Sequence, residues 1–186
     1  LSVDSGQSSV NSDQSAVRND KSSATKLPVT NYQLPTIKAI GSGRDVTLNT
    51  IGRPAVLIFH TAETAEDAQR INQAVRGTQE YKSFESVLIA NVVDLHSVPK
   101  LFRSFAEKSM RDSYVKAGGS LPQGETPQDY VIILPDWDGT VTKAFGLKDT
   151  NKMAGAVILD ASGNIVGVYQ SGDLTSQALQ QLSVQA

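Results

Sequence analysis

Two histidines, His60 and His96, each follow a strongly apolar run, Pro54 to Phe59 in the first case and Ser86 to Val93 in the second. A histidine at the exit of a strand can serve as a general base, ligate a metal beside a carboxylate, or simply pack at the sheet edge. His60 opens the stretch His60-Thr61-Ala62-Glu63-Thr64-Ala65-Glu66-Asp67, which places Glu63 and Asp67 nearby along the chain. His96 stands in Asp94-Leu95-His96-Ser97. After successive parallel strands, both would lie at the carboxyl end of a sheet, where α/β proteins bind ligands. His60 and His96 are therefore the candidates for a metal, and His60, Asp67 and His96 together for a non-thiol enzyme. Both readings require these groups to converge at an open pocket. Thr64-x-x-Asp67 has a structural reading of its own, a variant capping box with the Thr hydroxyl accepting from the third helical amide. The helix N-terminus it would open is crowded by Glu63, Glu66 and Asp67, which would repel an anion, so no phosphate site is expected there.

Other constellations carry less chemistry. Asp136-Trp137-Asp138-Gly139 starts like a calcium loop but is followed by Thr140 and Thr142, with no Glu at the twelfth position. It reads as a turn, with Trp137, the only tryptophan, near the surface as a candidate anchor for a partner. Gly41-Ser42-Gly43-Arg44 is too short for a nucleotide fingerprint and lacks a following helix. Cysteine is absent, which removes disulfides, iron–sulfur clusters and thiolate zinc sites together.

The elements that would position these residues alternate. The segment 37–40, the Gly41-Ser42-Gly43 turn and 46–48 read as a β-hairpin. A strand over 54–60 leads to a helix over 65–76, with Ala68, Ile71 and Val75 at helical spacing and Gly77 as its stop. The run 86–93 is apolar enough for a buried parallel strand. Ser97 and Pro99 read as the N-cap and first turn of a helix carrying Leu101, Phe102, Phe105, Met110, Tyr114 and Ala117, ending at Gly118-Gly119. A polar loop over 120–128 precedes a strand over 130–134, and a short helix follows over 141–145. Strands over 154–160 and 164–169 flank the turn Ala161-Ser162-Gly163, and a helix over 174–184 closes the chain. This order implies a three-layer α/β domain.

At 186 residues and 39% hydrophobic, the chain suffices for one ordinary core. A formal charge of −2, with both signs interspersed, gives no electrostatic footprint for nucleic acid. The apolar runs are strand-sized, far short of the roughly 20 residues of a membrane-spanning helix. Residues 1–26 hold eight serines with Asn, Asp, Gln and Lys, and are expected to form a polar tail or tether, ordered only if a partner holds it. Residues 27–186 are expected to form the domain. A chain that opens on Leu1 is expected to be a processed product or a piece of a longer gene.

Over most of residues 27–186 the chain resembles the thioredoxin-like and peroxiredoxin-like redoxins. The resemblance rests on Leu27-Pro28 through Leu48 and Gly52-Arg53-Pro54 before an apolar strand, on Leu134-Pro135-Asp136-Trp137-Asp138-Gly139 leading to Lys143-Ala144-Phe145-Gly146, and on Val157 to Gly163 in the closing hairpin. It implies a thioredoxin-like fold: a central mixed sheet flanked by helices, with an N-terminal β-hairpin extension. It does not transfer the function. Thr64-Ala65-Glu66-Asp67 stands where thioredoxins carry Cys-x-x-Cys, and Asp67 stands at the peroxidatic position; a carboxylate there performs no thiol chemistry. Lys152-Met153-Ala154-Gly155 carries no proline near Ala154, where thioredoxins have a cis-proline. His60, Thr64, Asp67 and Ala154 thus mark a vestigial active-site region. Among redoxin relatives the chain is similar to the YtfJ-like periplasmic proteins, with a His soon after the first core strand and no cysteine pair. That likeness implies a periplasmic or otherwise extracytoplasmic location. The expectation is a non-catalytic, cofactor-free module that binds another protein, in part through residues 1–26. The alternative is the metal-binding or non-thiol enzyme reading of His60, Asp67 and His96.

Overall fold

The structure, a computed structural model, describes residues 35–48 and 51–185; the 1–26 tail and the segment Leu27 to Leu34 lie outside the described residues. A two-stranded antiparallel hairpin, β1 (Thr36–Lys38) and β2 (Asp45–Thr47), opens the domain. Five further strands form one sheet: β3 (Ala55–His60), β4 (Leu88–Asp94), β5 (Ile133–Asp136), β6 (Gly155–Leu159) and β7 (Ile165–Tyr169). Their spatial order is β5-β4-β3-β6-β7, with β3, β4 and β5 parallel and β6 and β7 antiparallel to their neighbours. Helices α1 (Ala65–Gly77) and α2 (Arg103–Gly118) connect the parallel strands, with a short α3 (Pro127–Tyr130) before β5. After it come α4 (Thr140–Ala144) and the closing α5 (Leu174–Ser183).

Alternation along the central strands decides which residues meet which layer. Leu57 and Phe59 of β3 and Leu88, Ala90 and Val92 of β4 face the hairpin and α4, against Val46, Leu48, Val141 and Phe145. Val56, Ile58 and Ile89 face the opposite side, against Ala68, Ile71 and Val75 of α1 and Leu174, Ala178 and Leu182 of α5. The expected three-layer arrangement with an N-terminal hairpin is therefore present. A third cluster joins Met110 of α2 to Val93, Ile133 and Ile40. The Ile40 amide donates to the Ile133 carbonyl at 2.8 Å, so the hairpin is stitched to the outer edge of β5. Gly41, at φ +88°, turns that hairpin directly beneath Tyr114 of α2; a Cβ there would lie 2.2 Å from the Tyr114 ring.

Three boundaries differ from the sequence reading. Ser97 does not cap α2: residues 95–98 close a turn through the Val98 amide and the Leu95 carbonyl, 2.9 Å. The helix begins later, with a 3₁₀ turn over Lys100–Phe102. Of its apolar residues only Met110 is buried. Tyr130 is not in a strand; Pro127 starts a short helix there, since its fixed φ suits a first helical turn. The strand is Ile133–Asp136, displaced toward the carboxyl side.

Phe59 and Phe145 meet edge to face at 5.4 Å between ring centroids, both fully buried between sheet and α4. Phe145→Ala is expected to cost about 3–5 kcal/mol through lost burial and a residual cavity. Urea unfolding at constant m-value reads that loss.

Candidate functional site

The carboxyl ends of β3, β4 and β5 and the start of β6 lie along one edge of the sheet, because Phe59 pairs with Gly155 and Asp94 with Asp136. This edge gathers His60, Thr61, Asp94, His96, Asp136 and the loop before β6. Asp94, the last residue of β4, is buried at 4% exposure. Its Oδ1 accepts from His96 Nδ1 at 2.7 Å and from the His96 amide at 3.2 Å. Its Oδ2 accepts from the Thr150 hydroxyl at 2.7 Å. Burial pushes this carboxyl up, but the hydrogen bonds from Thr150 and His96 and the attraction of His96 outweigh it and hold the group below its ordinary value.

The chain of bonds continues across the edge. The Thr64 hydroxyl donates to the Thr150 carbonyl at 2.8 Å and accepts from the Thr61 amide at 3.1 Å. The Thr61 carbonyl in turn accepts from His60 Nδ1 at 2.8 Å. Asp94, Thr150, Thr64 and Thr61 thus join the two histidines through one network, fixing the Nδ1–H form of each ring. Thr150 is presented by a tight turn in which Asp149 adopts the left-handed conformation, φ +48°, a position Asp tolerates better than most residues. On the neighbouring strand, Asp136 has its own donors: the Thr142 amide and hydroxyl both reach its Oδ2 at 2.8 Å.

The structure corrects the capping-box reading of Thr64. With φ −111° and ψ 17°, Thr64 makes no side-chain cap; its hydroxyl turns inward to the Thr61 amide and the Thr150 carbonyl, 5% exposed as a residue. Asp67 does not join the histidines either. Its carboxylate is ion-paired with Arg70 on the outer face of α1. Ala154 is fully buried beside Ile58 and Ile158. Among the described residues, no three His, Asp or Glu side chains are grouped to hold a metal ion. Trp137 is half-buried against the α2 cluster, and the Arg103 guanidinium lies over its ring, 5.3 Å from the centroid.

Sequence reasoning missed Asp94 and Thr150. Asp94 had a local signal, an acid two residues before a histidine at a strand end. Thr150 had none: it meets Asp94 and Thr64 only because β6 returns alongside β3.

No protein-family model matches the chain, and no curated protein matches it. Among solved structures, it superposes on MTB dsbF with a TM-score of 0.54 at 17% identity, over 83% of this chain and 96% of that one. An exposed lipoprotein thioredoxin, Etrx1, from Streptococcus pneumoniae gives 0.52 at 14% identity, over 81% and 99%. The bacterioferritin comigratory protein of Xanthomonas campestris, described for alkyl peroxide reduction, gives 0.53 at 15% identity, over 88% and 97%. Identities of this size carry the fold alone: the chain has a thioredoxin-like fold, and it contains no cysteine.

Burial pushes the His60 imidazole below its usual value of 6.5, its hydrogen bond to Thr61 offsetting this only in part. The unfolded chain therefore binds a proton more readily than the folded one. The stability this contributes is complete above about pH 6.5 and is lost as pH falls toward the folded value. The urea midpoint is expected to fall between about pH 7.5 and about pH 5, and His60→Gln is expected to flatten that decline. The Asp94 window lies lower, below about pH 4, and is read separately.

Proposed function

We propose that this chain is a cysteine-free thioredoxin-fold module that works by binding another protein rather than by thiol chemistry. The observation that carries this reading is an apolar surface at the same end of the sheet as the hydrogen-bonded network. Leu101, Phe102 and Phe105, at and just after the 3₁₀ turn that starts α2, are 84%, 55% and 73% exposed. Met153, in the loop entering β6, is 42% exposed. Three large apolar side chains so close in sequence and so open to water would cost the free protein solubility, and such patches mark interaction sites. Beside them, the Asp94 carboxylate and the Thr150 and Thr64 hydroxyls are hydrogen-bonded within the network. Residues 1–26, the 118–129 segment and Trp137, over whose ring Arg103 lies, are further candidates for the contact.

The YtfJ-like resemblance supports an exported, periplasmic setting, and Etrx1 is itself described as an exposed lipoprotein. No described helix is long and apolar enough to cross a membrane.

The test is quantitative capture from an extract of the source cells, with the intact chain as bait beside Leu101→Asp/Phe105→Asp and, as a control, Val115→Asp. Val115 is equally exposed, at 71%, but lies ten residues further along α2. The double variant is expected to lose at least about tenfold of a specific partner while its stability stays within about 0.5 kcal/mol. Equal capture by all three baits would overturn the reading.

A further inference from the structure

We propose that His96 is a general base that activates water against a carboxylic ester bearing an apolar acyl chain. This goes beyond the binding role and does not rest on it. The geometry is that of an oriented imidazole. Asp94, its side chain 3% exposed, fixes Nδ1–H at 2.7 Å, while the His96 side chain is 46% exposed. Among the described residues, no group is hydrogen-bonded to Nε2, which leaves that atom as the outward lone pair. The carboxylate is itself anchored from a third direction by the Thr150 hydroxyl, so the ring is held from behind, as base-orienting pairs require. Gly139 packs against the other side: a Cβ there would lie 3.0 Å from the His96 Cβ and 3.3 Å from Cγ. Only glycine lets the β5–α4 turn close on the ring without displacing it, and its φ of +66° suits glycine for a second reason. Asp94 and Asp136 are neighbours in register, yet Asp136 is engaged with Thr142; His96 is the ring to which the Asp94 carboxylate is committed. Five residues on, Leu101 begins the exposed apolar turn, the feature in the same β4–α2 connection suited to an acyl chain.

The step balances with water as co-substrate. Nε2 takes a proton from water as the water oxygen bonds to the ester carbonyl carbon. The tetrahedral adduct then collapses, breaking the bond to the leaving oxygen, and the imidazolium returns the proton to the departing alcohol. Acid and alcohol leave, and His96 is regenerated. Asp94 is a positioning residue in this scheme, and Thr150 positions Asp94.

The experiment follows hydrolysis of p-nitrophenyl hexanoate and p-nitrophenyl acetate by the intact chain, His96→Gln and Asp94→Asn. The proposal expects saturable turnover, a higher kcat/KM for the hexanoate, and a loss of about a hundredfold or more in His96→Gln. In Asp94→Asn it expects kcat to fall about tenfold with KM unchanged, a split that loss of structure alone would not produce. Because Asp94 is buried, that variant can fail to fold; His96 is half exposed, so His96→Gln remains decisive. Equal rates in wild type and His96→Gln, or a rate linear in ester and no faster than free imidazole at the same concentration, would overturn the base. Equal kcat/KM for the two esters would overturn the substrate class. Capture of a partner is unaffected by any of these outcomes, so the two readings fail separately.

Discussion

A carboxylate at the end of a buried parallel strand must be given donors, because an ionised group removed from water without them costs several kcal/mol. Asp94 obtains its donors from His96, two residues on, and from Thr150, fifty-six residues away. Hydrogen bonds to a charged group contribute on the order of 1.5–3 kcal/mol each, enough to fix the segments that supply them. The loop before β6 is therefore tied to β4, and through Thr64 to the turn that opens α1. At the carboxyl edge of the sheet this anion links β4 to the loop before β6 and, through Thr64 and Thr61, to the exit of β3 at His60, while Asp136 is held separately by Thr142.

Much of the fold was readable because the interior strands are apolar on both faces and α1 repeats Ala68, Ile71 and Val75 on one side. The hairpin followed from Gly41 and Gly43, whose positive φ values the turn requires. What was misread had local rivals. Ser97 followed by Pro99 looks like a helix start, but Ser97 lies in the turn closed on the Leu95 carbonyl, and it is Pro99 that heads the 3₁₀ turn leading into α2. Val131 continues an apolar run and reads as strand from Tyr130, yet Pro127 and the Thr126–Asp129 hydrogen bond favour a helical turn first. Thr64 was placed at the right helix end but given the wrong partner, since its bond to Thr150 spans eighty-six residues and leaves no periodic trace. The histidines that the structure brings to this edge, His60 and His96, were recognisable by type, whereas Thr150 joins it only through tertiary contact and left no signal.

The redoxin fold normally uses this edge to present a thiol at a helix N-terminus. Here Thr64 hydrogen-bonds across to the β6 loop, Asp67 turns out to Arg70, and no thiol exists. The edge is tied together by hydrogen bonds and carries no thiol. The proposed base is the His96 imidazole, and the proposed docking face is the exposed apolar turn at Leu101, Phe102 and Phe105. Both lie in the single connection between β4 and α2, the segment that Asp94 begins.

The most direct test of this account is the tautomeric state of the two histidines, read by long-range ¹⁵N–¹H correlation of the imidazole rings near neutral pH. With only two histidines in the chain, His96→Gln assigns both signals. The account predicts that His60 is neutral with its proton on Nδ1, and that His96 shows a strongly deshielded Nδ1 proton bonded to Asp94, which Asp94→Asn removes. An Nε2–H tautomer at His60, or a His96 Nδ1 proton in fast exchange with water, would contradict the network on which the rest depends.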